Sequence, residues 1–546
     1  MFLFKRFFAS LLLFFVIINY LPSMEGYAET PFLETNRYKI FYKNEHAEYA
    51  LNLASVIDRK FDNISRFIGY EPAERLNLHL AASRDRISNI VNINSTGSVY
   101  ALEVFADYEH SVNLGKIHEF TVKSLLSDSA SKESFFRRMR GAGLEGWISP
   151  SVSHYIIYGF DSRSSMYIRG VLQRGKRISI NSEAATLFSE SEIRSIQIGF
   201  IHFVKEYYGM GVLSFALKNI SYYGSFQNAL ENITGLTGDA ITHDFNSFYY
   251  NNKYKKSLEQ KDSSLSGLIV TDIDGRNLLA TDMKGRILYS EKREKGAVLY
   301  ILESAAGKDS RIEVGNISSS PDEVMKIDGA FIKGGGAAAA VTKRNGTLFL
   351  IFNMDQDKPD ISLFIPYIFS RELSKHQLPG NLIFSASEGS RRDIFTLNTA
   401  AMTVKRISDS KGYYRSPALS DKGRLYCIEG KSSSRIVEYS ESAETFNIIA
   451  ESKCVIDDLS VLENGNFIFS CDEGVSNIHL YNRKFRRMIP LTDFRTGAFK
   501  PLLLNANNII FNYYTGNNYR AAVIDAGYKL LNLQRENREV AVSEGE

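Results

Sequence analysis

The chain has 546 residues, more than one ordinary hydrophobic core accommodates, so two or three domains are expected. Apolar residues make up 44% and charged residues 23%, the balance of a water-soluble globular protein. A formal net charge of +3 is too small to argue for nucleic acid or an anionic membrane surface as a partner.

In chain order, Lys5 and Arg6 precede the apolar run Phe7–Leu21, and small residues follow at Gly26 and Ala28. This is the pattern of a secretory signal peptide over residues 1–28, with Glu29 as the first mature residue. The run is shorter than the roughly 20 apolar residues that cross a bilayer. The protein is therefore expected to be exported, periplasmic or secreted, with no membrane span once the signal is cleaved; an uncleaved anchor is the alternative.

Arg37–Asn44 alternates as a strand does, and Ala54, Ile57, Phe61, Ile64 and Ile68 mark one face of a helix over Ala50–Ile68. Leu76, Leu78 and Leu80 alternate again, and a further strand is expected at Val99–Phe105. Helical patterns follow at Leu114–Leu126, Ser151–Tyr158 and Glu190–Tyr208, the last closed by Gly209, then at Val212–Ile220 and Ser225–Leu230. The order predicts an α+β domain over residues 29–250. Residues 251–266 are polar, basic and Ser-rich, and read as a linker.

Beyond the linker the pattern changes to short strands and turns with an internal repeat. Ile383-Phe384, Leu425-Tyr426, Ile468-Phe469 and Ile510-Phe511 recur at spacings of 42, 43 and 42 residues, each after a turn signal and before a second alternating strand. Less regular copies stand at Gly285–Ser290 with Val298–Leu302 and at Asn345–Phe352 with Ile361–Ile365. A period of about 40 residues with four strands per repeat predicts an all-β propeller of about six blades over residues 267–533. Residues 534–546 are charged and aperiodic and read as a disordered tail. Cys427, Cys454 and Cys471 fit no metal spacing; they are expected to be buried small hydrophobes on strands, with at least one thiol free and no disulfide framework.

Chemistry concentrates in two stretches. A zinc-peptidase helix reads H-E-x-x-H, two imidazoles one turn apart with the carboxylate between them as base. In Leu114–Leu126, LGKIHEFTVKSLL, His118 and Glu119 are present but Val122 stands at the second histidine position. Downstream, Trp147–Tyr155 reads WISPSVSHY. In this order the two stretches resemble the helices of the MA-like peptidase domain of gluzincin (thermolysin-like) zinc metallopeptidases, and the resemblance runs over residues 35–250. It implies His118 as first ligand and Glu119 as base, with Val122 and Pro150 in place of the second and third ligands. A catalytic zinc needs three protein ligands and an open position, and neither Val nor Pro donates an electron pair. The implied domain is degenerate, with no catalytic residue, no metal and no cofactor. Ser149-Pro150 is expected to cap and open the second helix.

His154, one turn beyond Pro150, leaves an alternative: an unconventional zinc set of His118, His154 and a carboxylate, Glu119 or Glu145. His243-Asp244 reads as a helix-surface pair, Gly334-Gly335-Gly336 lacks the context of a phosphate loop, and Lys132, Arg137, Arg138 and Arg140 form a basic cluster. The repeat half resembles TolB-like six-bladed propellers, whose blades carry S-x-D-G-x-x-I-x-F; Ser420–Tyr426, SDKGRLY, is the nearest copy. Together these readings predict an exported, non-enzymatic binding or scaffold protein of the bacterial envelope that recognises a protein or peptide. The alternatives are the unconventional zinc metallopeptidase and a propeller-centred hydrolase, which needs paired acids in the channel, such as Asp457-Asp458.

Overall fold

The computed structural model describes residues 31–81, 101–131, 145–258 and 269–525, apart from breaks of one to six residues within those ranges. The expected signal segment, the tail, most of the linker and the basic cluster at 132–140 lie outside the described residues. No described helix is long and apolar enough to cross a membrane.

The N-terminal region opens with a four-stranded sheet in the order β1 (Phe32–Glu34), β2 (Tyr38–Phe41), β3 (Leu76–Ala81), β4 (Ala101–Phe105). β1 and β2 are antiparallel and the other pairs parallel. A parallel pair needs a crossover, and α1 (Ala47–Ile68) supplies it between β2 and β3. Its buried residues, Ala50, Leu53, Ile57, Phe61, Ile64 and Ile68, form the expected stripe, and left-handed Gly69 (φ 75°) ends it. α2 (His110–Ser131) follows β4, then α3 (Ile148–Tyr158), α4 (Ser162–Gln173), α5 (Glu190–Phe203), α6 (Met210–Lys218), α7 (Phe226–Thr234) and α8 (Gly238–Ser247).

A reciprocal Ser189–Glu192 capping box starts α5. Residues Val204–Tyr208 continue it as a widened turn, closed where Gly209 N–H donates to the Val204 carbonyl (3.1 Å). A second widened turn, Phe248–Tyr254, carries helical structure into the segment read as linker, and Tyr254 is buried there. α3 starts two residues earlier than expected, at Ile148, so Ser149 does not cap it and Pro150 lies within its first turn. There the missing N–H costs no helical bond.

The C-terminal part is a six-bladed propeller: antiparallel four-stranded sheets at 278–316, 324–366, 369–406, 414–452 and 455–490, and a sixth at 498–525. The sixth gains its fourth strand from Ile269–Val270, which pairs with Tyr519–Asp525 and closes the ring. The recurring Ile-Phe pairs all lie on the second strands of their blades. The copy expected at Asn345–Phe352 is the third strand of blade 2, a correction of one strand. The second strand is Ala337–Lys343, where Ala337–Ala340 replace the large side chains that mark the repeat elsewhere.

The expectation for the cysteines is also corrected. Cys454, just before the first strand of blade 5, and Cys471 on the second form a disulfide (Cα–Cα 5.8 Å), and Cys427 is the buried free thiol. Strand register, with Ile456 opposite Cys471, brings the pair together, and a separation of 17 residues does not reveal it.

The two parts are packed against each other through α4. Arg169, 3% exposed, donates to the carbonyls of Gly474 (2.8 Å) and Thr496 (3.4 Å). Met166 and Tyr167 pack on Tyr514 and Tyr519. Nearly every side chain from Ser164 to Leu172 is buried, so α4 has no polar face and no stripe to read in sequence.

Candidate functional site at the channel mouth

The sequence points first to His118 and the residues expected around it. His118 on α2 is 4% exposed, and neither ring nitrogen has a hydrogen-bond partner among the described residues. Burial, assisted by the charge of Lys60, pulls its pKa down to about 4, so the ring is neutral at pH 7. Val122, one turn on, is fully buried in the same core, while Glu119 is exposed on another face of the helix. Pro150 is half-buried in the first turn of α3. His154 Nε2 lies 2.5 Å from Asp161 Oδ2, and Asp161 also caps α4 through the Ser164 N–H (2.6 Å). Glu145 accepts from Trp147 Nε1 (2.6 Å) and the Phe226 N–H (2.9 Å), which occupies both carboxylate oxygens. His118, Glu119, His154 and Glu145 thus stand in different places, and no group of three potential metal ligands converges among the described residues. His243 is 81% exposed beside Asp244 (3.8 Å), the helix-surface pair expected.

The cavity with the richer chemistry lies where the inner strands of the propeller converge. It holds about 470 Å³ and is lined by Lys326, Asp328, Glu372, Ser416, Asp458 and Lys500, together with Leu279, Leu373, Leu459 and Leu502. That volume is within the range of small-ligand pockets.

Local backbone geometry places these side chains. Each inner strand carries a register shift near its start: between Ser370 and Glu372, Arg415 and Ala418, Asp457 and Ser460, and Phe499 and Leu502 in blades 3 to 6. A bulge re-aims one side chain. At three of these bulges a residue with a side chain takes left-handed backbone: Ser416 (φ 49°), Asp458 (φ 55°) and Lys500 (φ 51°). Such conformations cost of order 1 kcal/mol each and cluster where function requires them. The bulge reverses direction between Asp457 and Asp458, so only Asp458 lines the cavity; Asp457 turns outward to pair with Arg415.

Each carboxylate of the mouth also ties its blade to the next. Asp328 accepts the Leu373 N–H (3.0 Å), Glu372 the Ser416 N–H (3.3 Å) and Asp458 the Lys500 N–H (3.0 Å). Across the channel, Lys500 Nζ reaches Asp328 Oδ1 (3.4 Å). Glu372 is paired with the buried Arg392 and accepts from Ser385. Burial by itself would raise its pKa, but the charges of Arg392 and Lys326 and these hydrogen bonds outweigh that and hold it at about 2. Asp458 goes the other way: burial raises its pKa, Lys500 only partly offsets this, and the negative Glu372 adds to it. One cavity therefore holds one carboxylate whose pKa is pushed down and another whose pKa is pushed up.

Sequence reasoning finds Asp457-Asp458 as acids for a channel but misses Lys326, Asp328, Glu372, Ser416 and Lys500. A signal exists: Ser416, Asp458 and Lys500 keep the 42-residue period, four residues before the turns opened by Ser420, Leu462 and Leu504. The position is chemically different in each blade, so the period alone does not draw attention to it.

No family model and no curated protein matches the chain. Among solved structures it is similar to TolB from Acinetobacter baumannii, at 13% identity over 45% of this chain and 63% of that one, with a TM-score of 0.36. It is similar to a puromycin hydrolase at 8% identity over 44% of this chain and 42% of that one, TM-score 0.33. A luciferin-regenerating enzyme aligns at 12% identity over 48% of this chain and 96% of that one, TM-score 0.34. The chain thus spans less than two thirds of the TolB and of the puromycin hydrolase.

Proposed function

We propose that this is an exported, non-enzymatic binding or scaffold protein, in which a degenerate gluzincin-like domain and a propeller present one recognition surface to a protein or peptide partner. The observation that carries the reading is the channel mouth: three residues held in left-handed backbone around a cavity, with both charge signs facing its interior. Strain retained at one end of a channel, beside cations and carboxylates, favours recognition of a polar chain with donors and acceptors of its own.

Three further observations support it. α4 docks on the loops at Gly474 and Gly516, between the second and third strands of blades 5 and 6. Gly296 and Ala297, at the corresponding end of blade 1, line the mouth, so the helical region stands beside the opening. The element order β4, α2, α3 with a neutral, unpartnered His118 and a buried Val122 supports a peptidase-like fold without its metal chemistry. The buried Cys454–Cys471 disulfide supports export to an oxidising compartment.

A displayed random-peptide library selected on the mature protein tests this, with metal content and hydrolysis measured on the same sample. Selected peptides whose binding falls at least tenfold in Asp458→Asn and Lys500→Met, with no stoichiometric metal, support the reading. One zinc per chain, with peptide hydrolysis abolished by His118→Ala, ends it.

A second reading is a propeller-centred hydrolase. It is favoured by the opposite displacement of the Glu372 and Asp458 pKa values within one cavity, the arrangement that separates acid from base. Hydrolysis that survives His118→Ala and disappears in Asp458→Asn would select it.

A further inference from the structure

At the other end of the propeller is a second cavity, of about 620 Å³, lined by Asp282, Lys284, Arg286, Lys333, Lys375 and His376 over the apolar floor of Phe331, Ile332 and Leu419. Its walls are the turns between the first and second strands of blades 1, 2 and 3. In an antiparallel blade those turns lie opposite the second-to-third turns on which α4 docks, so this face is not covered by α4.

The charges here are not balanced. Four cations face one carboxylate, an excess as large as the +3 of the entire chain. Arg286 is neutralised, by Asp282 at 2.5 Å and Glu303 at 3.7 Å, and its guanidinium lies over the Phe331 ring. Lys284, Lys333 and Lys375 make no ion pair among the described residues. Lys284 and Lys333 come from separate turns and Lys375 from the end of an inner strand, so three chain segments bring their ammonium groups to one depression. His376 adds a neutral donor: its Nδ1 accepts the Leu378 N–H (3.0 Å), which leaves the ring proton on Nε2. Burial lowers its pKa and keeps it in that state at pH 7.

We propose that this cavity binds a multiply charged phosphate group, with Lys284, Lys333 and Lys375 as its cationic ligands and His376 as a hydrogen-bond donor. Lysine meets phosphate as a point charge without needing bidentate geometry, and three segments converging on one group suit a tetrahedral anion better than a planar carboxylate. A phosphate of this kind can belong to a soluble phosphorylated molecule or to a lipid headgroup, and the chemistry of recognition is the same. The site is independent of the mouth and of the function proposed for it.

The mature full-length protein is titrated with inorganic pyrophosphate by calorimetry, and separately tested for co-sedimentation with vesicles of phosphatidylcholine containing phosphatidic acid. Pyrophosphate binding that weakens about tenfold or more in Lys333→Glu/Lys375→Glu, and less in Lys333→Gln/Lys375→Gln, supports a soluble ligand. Vesicle binding lost in the same variants, without pyrophosphate binding, supports a headgroup. Lys333 and Lys375 make no ion pair among the described residues, so unchanged thermal unfolding of the Gln variant serves as the folding control. Absence of both kinds of binding, or binding unchanged by charge reversal, overturns the proposal.

Discussion

A neutral imidazole in an apolar core has a measurable cost, and His118 bears it. Its folded pKa of about 4 lies below the ordinary value of about 6.5. The unfolded chain therefore takes up the proton first. Stability is undiminished above pH 6.5 and is lost as the pH falls through the folded value, by about 3 kcal/mol in total. Both ring nitrogens are also buried without partners among the described residues, a further penalty at every pH. His118→Leu is expected to stabilise the protein by about 2 kcal/mol at pH 5 from the proton linkage alone, and by less at pH 7.5. Urea unfolding at the two pH values reads the difference; equal effects would mean that the ring is solvated or partnered. A His118 that held a metal would give the reverse outcome, with destabilisation and loss of the ion.

At the scale of elements, docking of α4 depends on close backbone approach as much as on Arg169. A Cβ on Gly170 would lie 2.8 Å from the Gly516 carbonyl oxygen and 2.9 Å from its Cα, contacts that backbone cannot yield cheaply. Gly170→Val should separate the helical region from blades 5 and 6 without unfolding either. Limited proteolysis should then cut between residues 255 and 269 much faster than in the parent, while the β signature in circular dichroism is retained. An unchanged cleavage rate would show that the interface tolerates a wider gap.

At the scale of the whole molecule, ring closure is the weakest topological link. The sixth blade owes its outer strand to Ile269–Val270, a two-residue strand at the N-terminal edge of the propeller. Proline there removes ladder hydrogen bonding from a strand only two residues long. Ile269→Pro/Val270→Pro in the full chain should lower the melting temperature by several degrees and broaden the transition as blade 6 detaches from blade 1. A sharp, unshifted transition would show that the blade-to-blade hydrogen bonds of the inner strands suffice.

Periodicity makes α1, β3 and the blade repeat legible in the chain itself, because a helix stripe, an alternating strand and a recurring Ile-Phe pair are local patterns of side-chain size along one segment. That Val122 and Pro150 carry no metal-binding side chain is equally plain, since it depends only on residue identity. Tertiary structure alone decides the rest. α4, buried all round, and the alanine strand of blade 2 leave no local pattern to read. The mouth is assembled from blades whose paired residues are some 42–45 positions apart, and which of Asp457 and Asp458 faces it turns on one left-handed residue. Such a site is a property of register and bulge geometry, set when non-local strands pair, and side-chain order along the chain carries no record of it.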